Sequence, residues 1–350
     1  MIDKGIIIKN VYYMLSYAFN TLKTKNFESI DKEEFEHIHD LFAEIIYKAI
    51  SLLLKRGIYK EYVGVSDNIP VLKGKLNIQG TLQNRISRKI FVSCEFDELS
   101  ENNIYNRIIK TSLNLLFQST NVSAKRKREL RSIMPYFCDI DIIDHHNIHW
   151  NTLKFQRNNK TYKMLLNICY FILDGMIMTT SPGKYKMRAF SEEHMNRLFE
   201  KFVLEYFRTH HKELRANADQ IYWDLDKENS PVVQFLPSMQ TDITLEYKSK
   251  TLIIDTKYYA QMMQHQFSSH SIHSANLYQI FTYVKNKDIK RNGSVSGMLL
   301  YALTQEEVKP ELDAILNGNR IMVRTLDLGV DFDRIKEQLD NIATYIKESH

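Results

Sequence analysis

Three cysteines in 350 residues are too few and too scattered to organise a fold. Cys94, Cys138 and Cys169 contain no Cys-x-x-Cys spacing, so neither a zinc site nor a disulfide framework is indicated. Such scarcity suits a reducing compartment, and a cytoplasmic protein is expected. Long apolar runs are missing too. No stretch reaches the ~18 residues that a membrane span requires. The apolar part of the opening, Met1-Ile-Asp-Lys-Gly-Ile-Ile-Ile-Lys, is too short for a secretory signal. A phosphate-binding P-loop is also absent. Its nearest candidate, Gly183-Lys184, is followed by Tyr185 instead of Ser or Thr, and Met178 stands where the first glycine belongs. Any nucleotide-driven work must come from another chain.

What is present is ample apolar content, 44% of the chain, over a length that suggests two domains. The net charge of +5 is compatible with nucleic acid without demanding it. One dense basic run, Lys125-Arg-Lys-Arg-Glu-Leu-Arg131, suits either a phosphate backbone or the solvated face of a helix. Histidines cluster at His145-His146 and His149, and again at His265, His270 and His273. Neither group shows a specific metal spacing. The first reads as loop or strand edge, the second as a polar loop.

The chemistry concentrates between Thr241 and Lys257. Thr241–Tyr247 alternates Ile243, Leu245 and Tyr247 with polar residues, as a half-buried strand does; Thr251–Ile254 is a buried β-branched run. The short polar turn Lys248-Ser249-Lys250 makes the two a hairpin. An antiparallel hairpin brings Asp242, at the start of one strand, and Asp255, at the end of the other, to one end of a sheet. Asp255 and Lys257 share a strand face, and Thr256 between them points away with its backbone carbonyl still available. Two carboxylates suit a hard divalent cation, Mg²⁺ with Mn²⁺ able to substitute; an adjacent lysine can orient or deprotonate a water. That is the equipment of phosphodiester hydrolysis.

Flanking helices extend the site. Ser274–Val284 reads as a helix with Gln279 and Tyr283 on one face. Glu192–His210 is amphipathic through Met195, Leu198, Phe199, Phe202 and Tyr206. At about 100° per residue, Glu205 falls roughly 80° from the centre of that face and Glu200 roughly 140°. Glu205 is therefore the expected third acid, with Glu200 facing water; a rim glutamate paired with Lys201 or Arg208 is the structural alternative.

The segment resembles the PD-(D/E)xK nuclease signature, with Asp242, Asp255 and Lys257 as its charged residues and Thr241 where the namesake pattern has proline. Gln279 and Tyr283 resemble the Gln-x-x-x-Tyr element of one nuclease branch, which helps position DNA near the metal. That resemblance implies an α/β/α restriction-endonuclease-like core over 185–350, preceded by an α+β domain over 1–180 with a β-rich insert at about 59–96. In the core, strands are expected at Ser296–Leu303 and Arg320–Leu326 and a last helix at Phe332–Ile346.

Further blocks narrow the likeness. Asn10-x-Tyr12-Tyr13-Met14-Leu15-x-Tyr17-Ala18, Lys73-Gly74-Lys75-Leu76, Asn106-Arg107-Ile108-Ile109-Lys110, Asp255-Thr-Lys-Tyr-Tyr259 and Asn276-Leu-Tyr-Gln279 are similar, in order, to the McrC family. These are nuclease subunits of modification-dependent McrBC restriction systems. The resemblance implies a partner hexamer of McrB-like AAA+ GTPase, which binds the GTP, reads the modified cytosine in double-stranded DNA and supplies the motor. The N-terminal region would attach to that ring and stimulate its hydrolysis. Two other readings stay open: a catalytically silent scaffold for an AAA+ ring, and a stand-alone repair nuclease that needs no nucleotide.

Overall fold

The computed structural model describes residues 2–3, 6–19, 30, 33, 35, 37–154, 160–173, 177–181, 184–187, 192–225, 235–258, 263–266, 269–303 and 310–348. Gly183 of the P-loop candidate and Tyr259, both singled out in the sequence, lie outside them. The chain divides into two units, one of residues 1–41 with 188–350 and one of 42–187. The expected domain of 1–180 therefore loses its first 41 residues to the other unit.

The reason is visible in the first helix. Helix α1 (Ile8–Phe19) buries Ile8, Val11, Met14 and Leu15, and packs on α2 (Glu192–His210). The Tyr17 ring meets Phe202 and Tyr206 at 5.6 Å each, and its hydroxyl lies 2.7 Å from His210 Nε2. Asn10 Nδ2 donates to the carbonyls of Leu328 and Val330, each at 2.8 Å. The Asn-x-Tyr-Tyr block is thus part of this unit's own packing.

The same unit holds a five-stranded mixed sheet. Its strands are β1 (Ile243–Tyr247), β2 (Lys250–Lys257), β3 (Val295–Leu303), β4 (Leu312–Leu316) and β5 (Asn319–Asp327), in the order β1-β2-β3-β5-β4. Strands β2, β3 and β5 run parallel, and the outer pairs are antiparallel. Helix α3 (Ser274–Lys287) lies in the connection from β2 to β3, as parallel neighbours require. It lies so close to β3 that a Cβ on Gly297 would meet Val284 Cγ2 at 2.7 Å and Ile280 Cγ1 at 2.8 Å. Helix α4 (Phe332–Glu348) buries Phe332, Ile335, Leu339, Ile342 and Ile346, the stripe read from the sequence. Strand β4 escaped that reading. Yet its turn is Asn317-Gly318, with φ of +48° and +86°, a strong short-range signal for a tight hairpin.

The second unit buries helices Ile104–Gln118, Ala124–Ile133 and Lys160–Leu173 around Ile108, Leu113, Leu130, Leu165 and Ile168. Its β-rich part is a three-stranded antiparallel sheet of Glu61–Ile69, Val92–Ser100 and Lys75–Leu76, with Val92–Ser100 central. Gly74, at φ +70°, sits where a Cβ would fall 2.5 Å from the Glu95 carbonyl, so only glycine fits. A helix, Ile78–Ile86, stands within the segment expected to be β-rich. Asn77 caps it by accepting from Gly80 N–H at 2.9 Å. Ile78, Leu82 and Ile86 follow helical spacing but face solvent, at 68%, 57% and 82% exposure. Among the described residues, no helix is long and apolar enough to cross a membrane.

Candidate active site

The hairpin is as expected: Ile243 pairs with Ile254 and Tyr247 with Lys250. One further step of that register sets Asp242 across from Asp255, at the carboxyl end of β2. In a parallel-type sheet this is the edge where ligands bind.

Asp242 is held by Thr256, whose N–H and hydroxyl donate to the same carboxylate oxygen at 2.7 and 2.8 Å. Thr256 was expected to offer only a carbonyl; its side chain and amide turn out to fix the first acid. Asp255 is 1% exposed and forms an ion pair with Lys257 Nζ at 2.9 Å. Neither of its buried carboxylate oxygens has a hydrogen bond of good geometry. Lys257 Nζ also donates to Gln279 Oε1 at 3.3 Å, and Gln279 Nε2 donates to the Tyr283 hydroxyl at 3.0 Å. Two residues on one turn of α3 thus close a chain that begins at Asp255. Asn276 Nδ2, donating to the Tyr301 hydroxyl at 3.0 Å, ties the start of α3 to β3, whose Tyr301 is the register partner of Lys257.

The glutamate coupled to the two aspartates is not the one expected. Glu205 accepts from Arg208 at 2.8 Å, the rim pairing weighed as its structural alternative. Glu200 is the glutamate of α2 that feels the site. Burial first, then the charges of Asp242 and Asp255, push its carboxyl up to about 7. The expected apolar face omitted Val203 and Phe207, both fully buried. They lie three and seven residues beyond Glu200, so the buried arc turns toward it and away from Glu205. Asn196, one turn before Glu200, accepts from the Tyr258 N–H at 2.9 Å and pins this face of α2 to the end of β2. Sequence reading missed Asn196 altogether; its i, i+4 spacing from Glu200 was the available signal.

The electrostatics are those of acids crowded together. Burial, then Asp242, raise the Asp255 carboxyl to about 6, against the opposing pull of Lys257. Burial raises Asp242 as well, opposed by its two bonds from Thr256. Three coupled carboxylates against the single ammonium of Lys257 are hard oxygen ligands with an excess of negative charge. In donor chemistry these residues suit a divalent cation, which Asp242, Asp255 and Glu200 with the Thr256 carbonyl would hold; as they stand, the three carboxylates do not bring ligand atoms within 4.8 Å of one another, and a cation would draw them together. The first histidine cluster is of another kind. Asp144, His145 and His146 bring ligand atoms within 4.8 Å, so a carboxylate does accompany these histidines, in a turn that Asp144 caps.

Comparison with known proteins agrees with the likeness read from the sequence. A family model described as the McrBC 5-methylcytosine restriction system component matches residues 7–302. The chain belongs to this McrBC family. It is similar to the type IV methyl-directed restriction enzyme EcoKMcrBC of Escherichia coli (strain K12), with 27% identity over 345 residues, covering 98% of this chain and 99% of the relative. Its fold resembles that in the assembly of Thermococcus gammatolerans McrB AAA+ hexamers with bound McrC, at a TM-score of 0.55 and 18% identity over 97% of this chain and 76% of that one. The McrBC complex of the same organism matches at a TM-score of 0.44, with 22% identity over 57% of each chain. The family match spans α1, α2, the hairpin, α3 and nearly all of β3, so every residue of the cluster lies inside it.

The assignment of the third acid has a direct test. Glu200→Gln is expected to lower DNA cleavage at least about tenfold and to weaken cation binding, because it removes a carboxylate from the cluster. Glu205→Gln should change cleavage less than about twofold, since it loses one exposed ion pair. The reverse order of effects would return the role to Glu205.

Proposed function

We propose that this chain is the endonuclease subunit of a modification-dependent, GTP-driven restriction complex, and that it hydrolyses phosphodiesters in double-stranded DNA carrying modified cytosine. The observation that carries the reading is the linked set Asp242, Asp255, Lys257 and Gln279 at one sheet edge, with Glu200 facing it. The core is read as a PD-(D/E)xK fold on the same ground.

A bound Mg²⁺ or Mn²⁺ would act as a Lewis acid at the phosphate and acidify its water. The chain's own groups do the rest. Asp242 is held rigid by Thr256, and Asp255 by burial, so the oxygen ligands need little reorganisation. Lys257 keeps its ammonium between Asp255 and Gln279, where it can orient the attacking water and offset charge that develops on the phosphate. Tyr283 fixes the Gln279 amide, leaving the pair to position the DNA strand.

The GTP would be bound and hydrolysed by a McrB-like AAA+ hexamer, with this chain stimulating it. The exposed apolar surface of the 59–96 segment supports attachment there. Ile86, the last residue of the helix, and Ile90, in the connection to the central strand, are 82% and 81% exposed. Ile86→Asp with Ile90→Asp is expected to lower co-purification with the GTPase about tenfold or more while Tm stays unchanged. Retained co-purification would move the attachment elsewhere. The functional reading itself is tested by reconstituting the chain with the GTPase and methylated DNA. Cleavage should need GTP, Mg²⁺ and this subunit together. Stimulated GTPase with no cutting in Mg²⁺ or Mn²⁺ would favour the silent scaffold, and cutting without nucleotide the stand-alone nuclease.

A further inference from the structure

The basic run Lys125–Arg131 has no role in the site described above, and the structure shows how its charges divide. It forms the helix Ala124–Ile133, capped by Ser123. Arg126 turns inward, where it is 5% exposed and pairs with Glu44 and with Glu129 at 2.7 Å. With Leu130 and Ile133 it makes the buried stripe. The other four cations point the opposite way. Taking about 100° per residue, Lys125, Lys127, Arg128 and Arg131 fall within an arc of about 160° centred opposite that stripe. Lys127, Arg128 and Arg131 form no ion pair among the described residues, and Arg131 is braced by the Phe117 ring, 5.3 Å from its guanidinium carbon.

A solvated helix face does not account for this pattern. The first turn of a helix favours acids because its amide groups point positive charge outward. Here the first turn contains no acid and three cations, Lys125, Arg126 and Lys127. The arrangement works against the helix's own stability, and the one acid of the run, Glu129, is engaged by Arg126. Positive charge kept on one face at such a cost is suited to a polyanion.

We propose that this outward face, Lys125, Lys127, Arg128 and Arg131, is a contact for the phosphate backbone of duplex DNA, independent of base sequence and modification. It rests on the reading of the chain as a DNA enzyme but uses none of the residues of the cleavage site. Four cations along a ten-residue helix, about 15 Å long, span two to three successive phosphates of one strand. The contact would hold substrate without selecting it.

The test uses the full chain alone, in EDTA, with an unmodified fluorescent 30-base-pair duplex titrated across KCl concentrations. The wild type should bind with a steep salt dependence. Lys125→Glu, Arg128→Glu and Arg131→Glu together should weaken binding at least about tenfold at low salt and reduce the log–log salt slope by about 2–3, near 0.9 per lost phosphate contact. The three Gln substitutions should reduce the slope similarly, with a smaller loss of affinity. Melting of both variants should be no lower than wild type, because the changes relieve charge at the helix start. Unchanged slope and affinity in both variants would overturn the proposal, as would a wild type with no salt-dependent binding. Intact DNA binding with lost GTPase co-purification would also overturn it, marking the helix as a protein interface. Were Asp255→Asn still to cut DNA in the complex, the cleavage site would be wrong and this contact untouched.

Discussion

Replacing Asp255 with asparagine is expected to abolish cleavage of methylated DNA by the complex, by roughly a thousandfold or more, and at the same time to stabilise the metal-free chain. The two effects share one cause. Asp255 is buried, its carboxyl is raised to about 6, and its partner Lys257 does not overcome the cost of burial beside Asp242. A neutral isostere removes that cost, so at pH 8 in EDTA the variant should gain roughly 1–2 kcal/mol. It also removes a cation ligand, and no described carboxylate is placed to replace it. Asp255→Ala tests the same loss of cleavage without a new amide. Residual cutting above a few per cent of wild type, in a preparation free of other nucleases, would defeat the assignment. So would a metal-free Asn variant that melts below wild type, since the acid would then be serving the fold. Association with the GTPase should survive in either variant.

The hairpin was legible because its signals are local. β-branched residues at Thr251–Ile254, alternation from Ile243 to Tyr247 and a polar turn fix the register, and the register alone sets Asp242 beside Asp255. Gln279 and Tyr283 followed from helical spacing and from lying just beyond Lys257. The third acid was not legible to the same degree. Glu200 and Glu205 differ by half a turn, and the choice depends on which side of α2 other elements cover. That is decided by Val203 and Phe207 inside the core and by Asn196 reaching Tyr258. The destination of α1 was hidden for a similar reason. Its apolar stripe announces a buried helix, but its partners, Leu328, Val330 and Phe202, lie about two hundred to three hundred residues away in sequence. Assigning it to the unit nearest in sequence was the natural reading, and the opposite one holds.

The crowding of three acids makes stability and cation binding depend on pH in opposite senses. Burial and the charge of neighbouring carboxylates push Asp255 up to about 6 and Glu200 up to about 7, above their ordinary values of 3.8 and 4.5. A raised acid favours the fold while protonated. The benefit is complete below about pH 4 and is lost as pH rises through 6 and then 7. Glu200 keeps part of its surface in water, which reduces its share; together the two should contribute roughly 2–4 kcal/mol. In EDTA, then, the melting temperature of wild type minus that of Asp255→Asn should fall by about 2–3 °C between pH 5 and pH 8, the share of Asp255 alone. Taking the difference cancels titrations common to both proteins. A divalent cation must displace those same protons. Mg²⁺ should therefore raise Tm strongly at pH 8, by about 2.7 kcal/mol at a hundred times its dissociation constant, and hardly at all at pH 5.5. Cleavage should follow the cation, rising between pH 6 and 8. A Tm difference flat across this range, or Mg²⁺ stabilisation as large at pH 5.5 as at pH 8, would mean the three carboxylates do not share one ion.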